Sequence, residues 1–184
     1  MHCLLSKAGS RFSARSAKSC RDWSLGWWPS RSLGSRATPA RSAAFASRIE
    51  AISHRYGLGP SRIYFSDLRD ADLPANTYDV IFARWVFLFL PDPAAHVAQL
   101  ARALKPGGHL LATVPHHTSV WAWGDPSHTR IITPEQLVFL RQSSYDQVGK
   151  TSMSDFRNIY KADFETIFSE EDPESFMFIL KAIK

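Results

Sequence analysis

The stretch Tyr78-Asp79-Val80-Ile81-Phe82-Ala83-Arg84-Trp85-Val86-Phe87-Leu88-Phe89-Leu90-Pro91-Asp92-Pro93, continued after a short interval by Leu104-Lys105-Pro106-Gly107-Gly108-His109-Leu110-Leu111-Ala112-Thr113-Val114, decides the fold. Residues 80–83 are an unbroken apolar run, the pattern of a strand buried on both faces. Asp92 is a good N-cap, and Pro93 suits the first helical position. Val97, Leu100 and Leu104 then line one face of a helix. Lys105-Pro106-Gly107-Gly108 ends that helix with a cation and two kinds of breaker, and residues 109–114 read as the next strand. Strand, helix, strand with continuous apolar strands predicts a parallel pair.

The same reading extends in both directions. Upstream, Phe45, Ile49, Ile52 and Tyr56 recur at helical spacing, and Gly57 supplies a stop. Gly59-Pro60 makes a turn, and residues 62–65 read as a short strand ending at Ser66-Asp67. Downstream, Thr133-Pro134-Glu135-Gln136 has the form of a capping box opening a helix to about Gln142. Two further strands are expected, one within residues 156–168 and one over 175–183, with Glu170-Glu171-Asp172-Pro173 as the polar turn between them. The expected fold class is α/β: a Rossmann-like, doubly wound sheet closed by a C-terminal antiparallel strand.

A chain of 184 residues with 45% hydrophobic content can bury one core. Its net charge of +5 is distributed unevenly. Residues 1–48 hold nine Lys and Arg against Asp22, or 9 − 1 = +8, which leaves +5 − 8 = −3 for the rest. The basic balance therefore belongs to a leader, and no nucleic-acid partner is expected for the folded part. Residues 1–42 alternate small and basic side chains without apolar periodicity, so they are expected to be a disordered, basic Ser/Arg-rich leader. That composition also resembles an organelle transit peptide, and it could neutralise phosphates. A shifted reading frame across Gly26-Trp27-Trp28-Pro29, which would encode an apolar, Val-rich run, is a third origin. Cys3 and Cys20 both lie in the leader, where a disulfide would staple nothing downstream; a reduced, cytoplasmic protein is expected. No apolar run approaches the length of a membrane span.

Asp67, Leu73-Pro74, Tyr78-Asp79-Val80-Ile81, the run from Arg84 to Pro93 and Leu104-Lys105-Pro106-Gly107-Gly108, in this order and spacing, strongly resemble class I S-adenosylmethionine-dependent methyltransferases of the type 11 and type 12 domains. The resemblance makes residues 43–184 a partial methyltransferase domain. It implies S-adenosyl-L-methionine as cofactor and a small-molecule methyl acceptor. It assigns Asp67 to the adenine amino group and the backbone of Leu68 to the ring's flank. Arg84 and Trp85 form the floor under the cofactor's methionine part. It also implies the strand order 3-2-1-4-5-7-6.

Methyl transfer from an activated sulfonium asks the protein to hold a nucleophile in line and, where needed, to take a proton. The loop His116-His117-Thr118-Ser119-Val120-Trp121-Ala122-Trp123-Gly124-Asp125-Pro126-Ser127-His128 lies where this fold presents its acceptor side. His117 and His128 are the candidate general bases, and Trp121 and Trp123 the candidate pocket walls. Solvated histidines and packing tryptophans are the plainer reading. No metal site is expected: a zinc set of His116, His117, Asp125 and His128 lacks the fixed geometry that a shared helix face would give.

The family's first two strands are missing from this reading. Their glycine-rich turn and ribose-gripping acid have no counterpart, since Gly57-Leu58-Gly59 is a connector before Pro60. Three functions follow as expectations. They are a small-molecule methyltransferase, a truncated or frame-altered relic without cofactor binding, and a non-catalytic interaction module with a basic tail.

Overall fold

The computed structural model describes residues 3–6, 61–63, 68 and 71–184. The helix expected over residues 43–57 and the residue Asp67 lie outside them, as does most of the leader.

The sheet is built around β3 (Tyr78–Arg84) and β4 (Leu104–Pro115), which run parallel. Tyr78, Ile81 and Ala83 are fully buried and Val80 nearly so, as the apolar run requires. The crossover between the two strands is helix α1 (Pro93–Ala103). The Asp92 carboxylate accepts from the Ala95 amide at 3.1 Å, and Pro93 opens the first turn. Ala94, Val97, Leu100, Ala101 and Ala103 face the sheet. Between β3 and α1, Val86, Leu88 and Leu90 are buried around a 3-10 turn, Phe87–Phe89.

The helix-to-strand junction departs from the sequence reading. Lys105-Pro106-Gly107-Gly108 does not precede the strand; it forms the first, bulged part of β4. Tyr78 pairs with Leu104 while Val80 pairs with His109, so one residue of β3 stands opposite four of β4. The Lys105 ammonium does not cap the helix. It grips the Asp79 carboxylate, 3.0 and 2.8 Å from its two oxygens, across the bulge. The cation at the helix end is instead Lys184, which donates to the carbonyls of Arg102 and Leu104 and to the Asn76 side chain.

The strand β6 (Ser175–Ala182) pairs antiparallel with β4, and β5 (Phe164–Glu171) pairs antiparallel with β6. The expected C-terminal hairpin is therefore present. Its turn is shorter than expected, since Glu170 and Glu171 belong to β5. The expected capping-box helix is a 3-10 segment, Pro134–Leu140, in which Thr133 caps no amide with its side chain. The Thr133 hydroxyl is engaged by the Glu135 carboxylate, and the Gln136 side-chain amide donates to the Ile131 carbonyl at 3.2 Å, so the reciprocal pair of a capping box is not formed.

The remaining strands are β1 (Cys3–Ser6) and β2 (Ser61–Ile63), and the full order is β2-β1-β3-β4-β6-β5. In the numbering implied by the resemblance, β2, β3, β4, β6 and β5 stand for strands 3, 4, 5, 7 and 6. One strand from the leader occupies the place of strands 1 and 2, antiparallel to both neighbours. The leader had offered no strand in the sequence reading. Cys3-Leu4-Leu5 is a short apolar run, and the open edge of β3 supplies the backbone partners that order it.

A Cβ on Gly108 would lie 3.0 Å from the Lys105 carbonyl oxygen and 3.1 Å from that of Asp79, whereas Gly107 has φ +72° and room around it. Gly108→Ala is therefore expected to cost about 1–3 kcal/mol by overpacking against backbone. Gly107→Ala should cost about 1 kcal/mol by backbone strain alone. Denaturant unfolding of the two variants checks both the size and the order of these losses.

Candidate functional site at the carboxyl edge of the parallel strands

Because β3 and β4 run parallel, their carboxyl ends open on one edge of the sheet, the edge where folds of this kind place ligands. Arg84 pairs with Thr113 in the last rung of the ladder. Trp85 follows with φ +53°, a left-handed conformation that a bulky residue rarely adopts. Its amide donates to the Thr113 carbonyl at 2.8 Å, which fixes the turn against β4. The Arg84 guanidinium lies 5.5 Å from the centre of the Trp85 ring. Arg84 is exposed, yet partial desolvation by the surrounding chain lowers its pKa. Leu68, expected to flank adenine through its backbone, has its side chain buried in the main core.

One residue beyond β4, His116 begins the loop rich in His and Trp. The hairpin turn between β5 and β6 comes up beside it. The His116 amide donates to the Glu174 carbonyl at 3.0 Å, and the Ser119 hydroxyl to the Glu174 carboxylate at 3.3 Å. Ser119 also caps a short helix, α2 (Val120–Gly124), by accepting from the Trp121 amide. His116 Nε2 stands 3.1 Å from Glu171 Oε1, and His117 Nδ1 stands 4.0 Å from the same oxygen. The two imidazoles lie side by side with centroids 4.2 Å apart. Trp123 donates its indole N–H to the His117 carbonyl at 2.6 Å, and the Trp123 ring stays exposed, as does that of Trp121.

His128 is placed apart from this group. Its side chain is only 3% exposed, packed edge-on against Phe89 with centroids 4.8 Å apart. Its Nε2 lies 3.9 Å from the Asp125 carboxylate, and neither ring nitrogen hydrogen-bonds within the protein. No hydrogen bond or ion pair joins His117 to His128 among the described residues. The structure thus brings together His116 and His117 from the sequence-derived set, and keeps Asp125 and His128 as a separate pair. Glu171 and Glu174 were not legible as site residues. Only the β4–β6–β5 pairing carries them, some 55 residues away in sequence, to the end of β4.

Residues 41–112 match the family described as "Methyltransferase domain". Over this segment the chain is similar to methyltransferase-domain sequence. The match spans β3, α1 and most of β4, including Arg84 and Trp85. S-adenosyl-L-methionine is the cofactor this family implies, and the mixed sheet with its helices resembles the Rossmann-like fold of class I methyltransferases. The chain is 26% identical over 132 residues to phosphoethanolamine N-methyltransferase 3 of Arabidopsis thaliana, covering 71% of this chain and 24% of that protein. Among solved structures, it is similar to an S-adenosylmethionine-dependent methyltransferase from Aquifex aeolicus (16% identity, TM-score 0.40, 72% of this chain and 61% of the other). It is also similar to an arsenic(III) S-adenosylmethionine methyltransferase from Chlamydomonas reinhardtii (17% identity, TM-score 0.43, 80% and 53%). No helix among the described residues is long and apolar enough to cross a membrane.

The described part of the edge suits one portion of such a cofactor. An exposed guanidinium and an adjacent indole at the end of β3 complement a carboxylate and an apolar chain. Among the described residues no cradle for the other portion stands there. β1 runs antiparallel to β3, with Cys3 beside Ala83, so it brings its amino end to this edge and leads no glycine turn into it.

The hairpin turn that positions Glu171 and Glu174 depends on Asp172. Its carboxylate accepts from the Glu174 and Ser175 amides at 2.8 and 2.7 Å and from the Ser175 hydroxyl at 2.7 Å. Burial works against the charge, but these hydrogen bonds, with His116 nearby, hold the pKa below its ordinary 3.8. A carboxyl depressed in the folded state stabilises it above the unfolded pKa and loses that contribution as pH falls through the folded value. Asp172→Asn is therefore expected to lower stability near neutral pH and to flatten the loss below about pH 4. Urea midpoints measured down the acid limb check it.

Proposed function

We propose that this chain is an S-adenosylmethionine-dependent methyltransferase of a small molecule, working in the cytoplasm. The observation that carries the reading is the strained Trp85 at the carboxyl edge of a βαβ unit, inside the segment that matches the family. A left-handed tryptophan costs about 1–3 kcal/mol and persists where its placement has a use. Arg84 would pair with the carboxylate of the cofactor's methionine part, and Trp85 would lie under its chain. Asp67, outside the described residues, would accept from the adenine amino group, with the Leu68 backbone beside the ring. The cofactor supplies an activated methyl group. The protein's own task is to hold the acceptor in line and take up its proton.

For that proton the two histidines are unequal. His117 is accessible at the edge and paired with Glu171, so its ring can reach a bound acceptor. Burial leaves His128 able to act only on a group that enters beside Phe89. The exposed faces of Trp121 and Trp123 would wall the acceptor side. The phosphobase named for the Arabidopsis relative is one acceptor of the proposed class; the chain spans 24% of that protein's length.

A second reading, a relic of the family that binds no cofactor, is favoured by one observation. A single antiparallel β1 stands where the family carries two parallel strands and their glycine turn. Calorimetric titration of S-adenosylmethionine into the folded chain separates the two readings. Saturable micromolar binding, weakened at least tenfold by Asp67→Ala and by Trp85→Ala, is the outcome expected for a methyltransferase. Absence of heat from a sample with intact circular dichroism would establish the relic. His128→Leu is expected to leave the thermal midpoint unchanged or raised, because it removes two buried nitrogens without protein partners. If turnover falls while the midpoint holds, His128 rather than His117 handles the proton.

A further inference from the structure

The side chains that meet at the end of β4 have a chemistry that methyl transfer does not require. His116, His117 and Glu171 each offer one ligand atom, and the three atoms lie within 4.8 Å of one another. We propose that His116 Nε2, His117 Nδ1 and a Glu171 carboxylate oxygen form a binding site for a divalent transition-metal ion of the zinc class.

Three features support the assignment. The separations suit an ion. His116 to Glu171 is 3.1 Å and His117 to Glu171 is 4.0 Å, close to the roughly 3–4 Å between ligands that surround a zinc ion with bonds of about 2.0–2.2 Å. The ligands are also oriented from behind. Thr118 meets His116 Nδ1 with its hydroxyl at 2.6 Å and its amide at 3.3 Å, which turns Nε2 towards Glu171. Second partners of this kind set the direction of a ligating imidazole. The His117 carbonyl is held by the Trp123 indole, and the His116 amide by Glu174. Finally, two of the three residues are tied to paired strands, since Glu171 closes β5 and His116 follows β4 directly.

The donor set selects the metal class. Two imidazoles and a carboxylate favour zinc, cobalt or nickel over magnesium and calcium, which require oxygen cages. His116 is 13% exposed, whereas His117 and Glu171 are 45% and 42% exposed. Three protein ligands with one side open to solvent leave a fourth position for water or an acceptor atom, the pattern of an accessible rather than a sealed site. The surroundings suit a cation. Glu174 and Asp172 lie in the adjoining turn, and Asp172 is within electrostatic reach of His116. Glu135, whose pKa is lowered chiefly by the Thr133 hydroxyl, is within reach of His117. No Lys or Arg forms an ion pair with Glu171 among the described residues.

A His117 ring that holds a metal cannot also accept a proton, so the proposed site and the proposed base are alternative uses of one side chain. The metal site does not rest on cofactor binding, and its test is run without S-adenosylmethionine. Zinc chloride titrated into the chelator-treated full chain should give one saturable site. Cobalt(II) should show visible bands of a low-coordinate complex, displaced by zinc. His117→Ala and Glu171→Gln should each weaken zinc binding at least tenfold with circular dichroism unchanged. Thr118→Val should weaken it several-fold, and His96→Ala, on α1, should leave it unchanged. Affinity should fall on acidification, because protons compete with the metal for imidazole nitrogens. A folded chain that binds no zinc, or that keeps its affinity in both ligand variants, overturns the site.

Discussion

The parallel ladder from Val80–His109 to Arg84–Thr113 is the interaction on which the rest of this structure depends. It forces α1 to cross over the sheet, and so buries Val97 and Leu100 with Leu88, Leu90 and Leu110 in one core. It also decides that Arg84 and His116 emerge from the same edge. The bulge at Gly107 and Gly108 makes the ladder possible, because the chain leaves α1 at Leu104 and has no loop in which to reverse. Four residues are absorbed opposite Asp79, and the Lys105–Asp79 ion pair closes the irregularity.

A parallel pair alone leaves two open edges, and the molecule treats them differently. On the β4 side, the β6–β5 hairpin completes the sheet and buries Phe176, Phe178 and Leu180. On the β3 side, the leader strand β1 takes the edge antiparallel. An antiparallel strand satisfies the backbone groups of β3 as well as a parallel one would. It does not deliver a loop to the carboxyl edge. Hydrogen-bond satisfaction and ligand architecture are therefore separable here: among the described residues the sheet is completed by a strand that brings no loop to the carboxyl edge.

The edge that results collects unlike chemistry in a small space. A cation stacked on an indole sits at the end of β3, and an imidazole pair faces carboxylates at the end of β4. A methyl acceptor and a metal ion make different demands on these groups, and His117 is where those demands meet. The exposed Trp121 and Trp123 extend the same surface, with Trp123 fixing the His117 backbone rather than packing beneath the loop.

The sequence by itself determined the βαβ unit, its N-cap at Asp92 and the closing hairpin, because these depend on apolar periodicity and local capping within a few residues. It also marked Arg84, Trp85 and the His- and Trp-rich loop as the place to look. It misread the junction at Lys105, where pairing with β3 turned a helix-ending turn into a bulged strand. It misread Thr133-Pro134-Glu135-Gln136 as well, where the Thr133 hydroxyl meets Glu135 and the Gln136 amide meets the Ile131 carbonyl. Only the tertiary structure decided that residues 3–6 join the sheet, that Trp85 is left-handed, and that Glu171 stands beside His116 and His117. Each of these depends on strands far apart in sequence coming into register, and neither composition nor spacing along one strand records which partner another strand will meet.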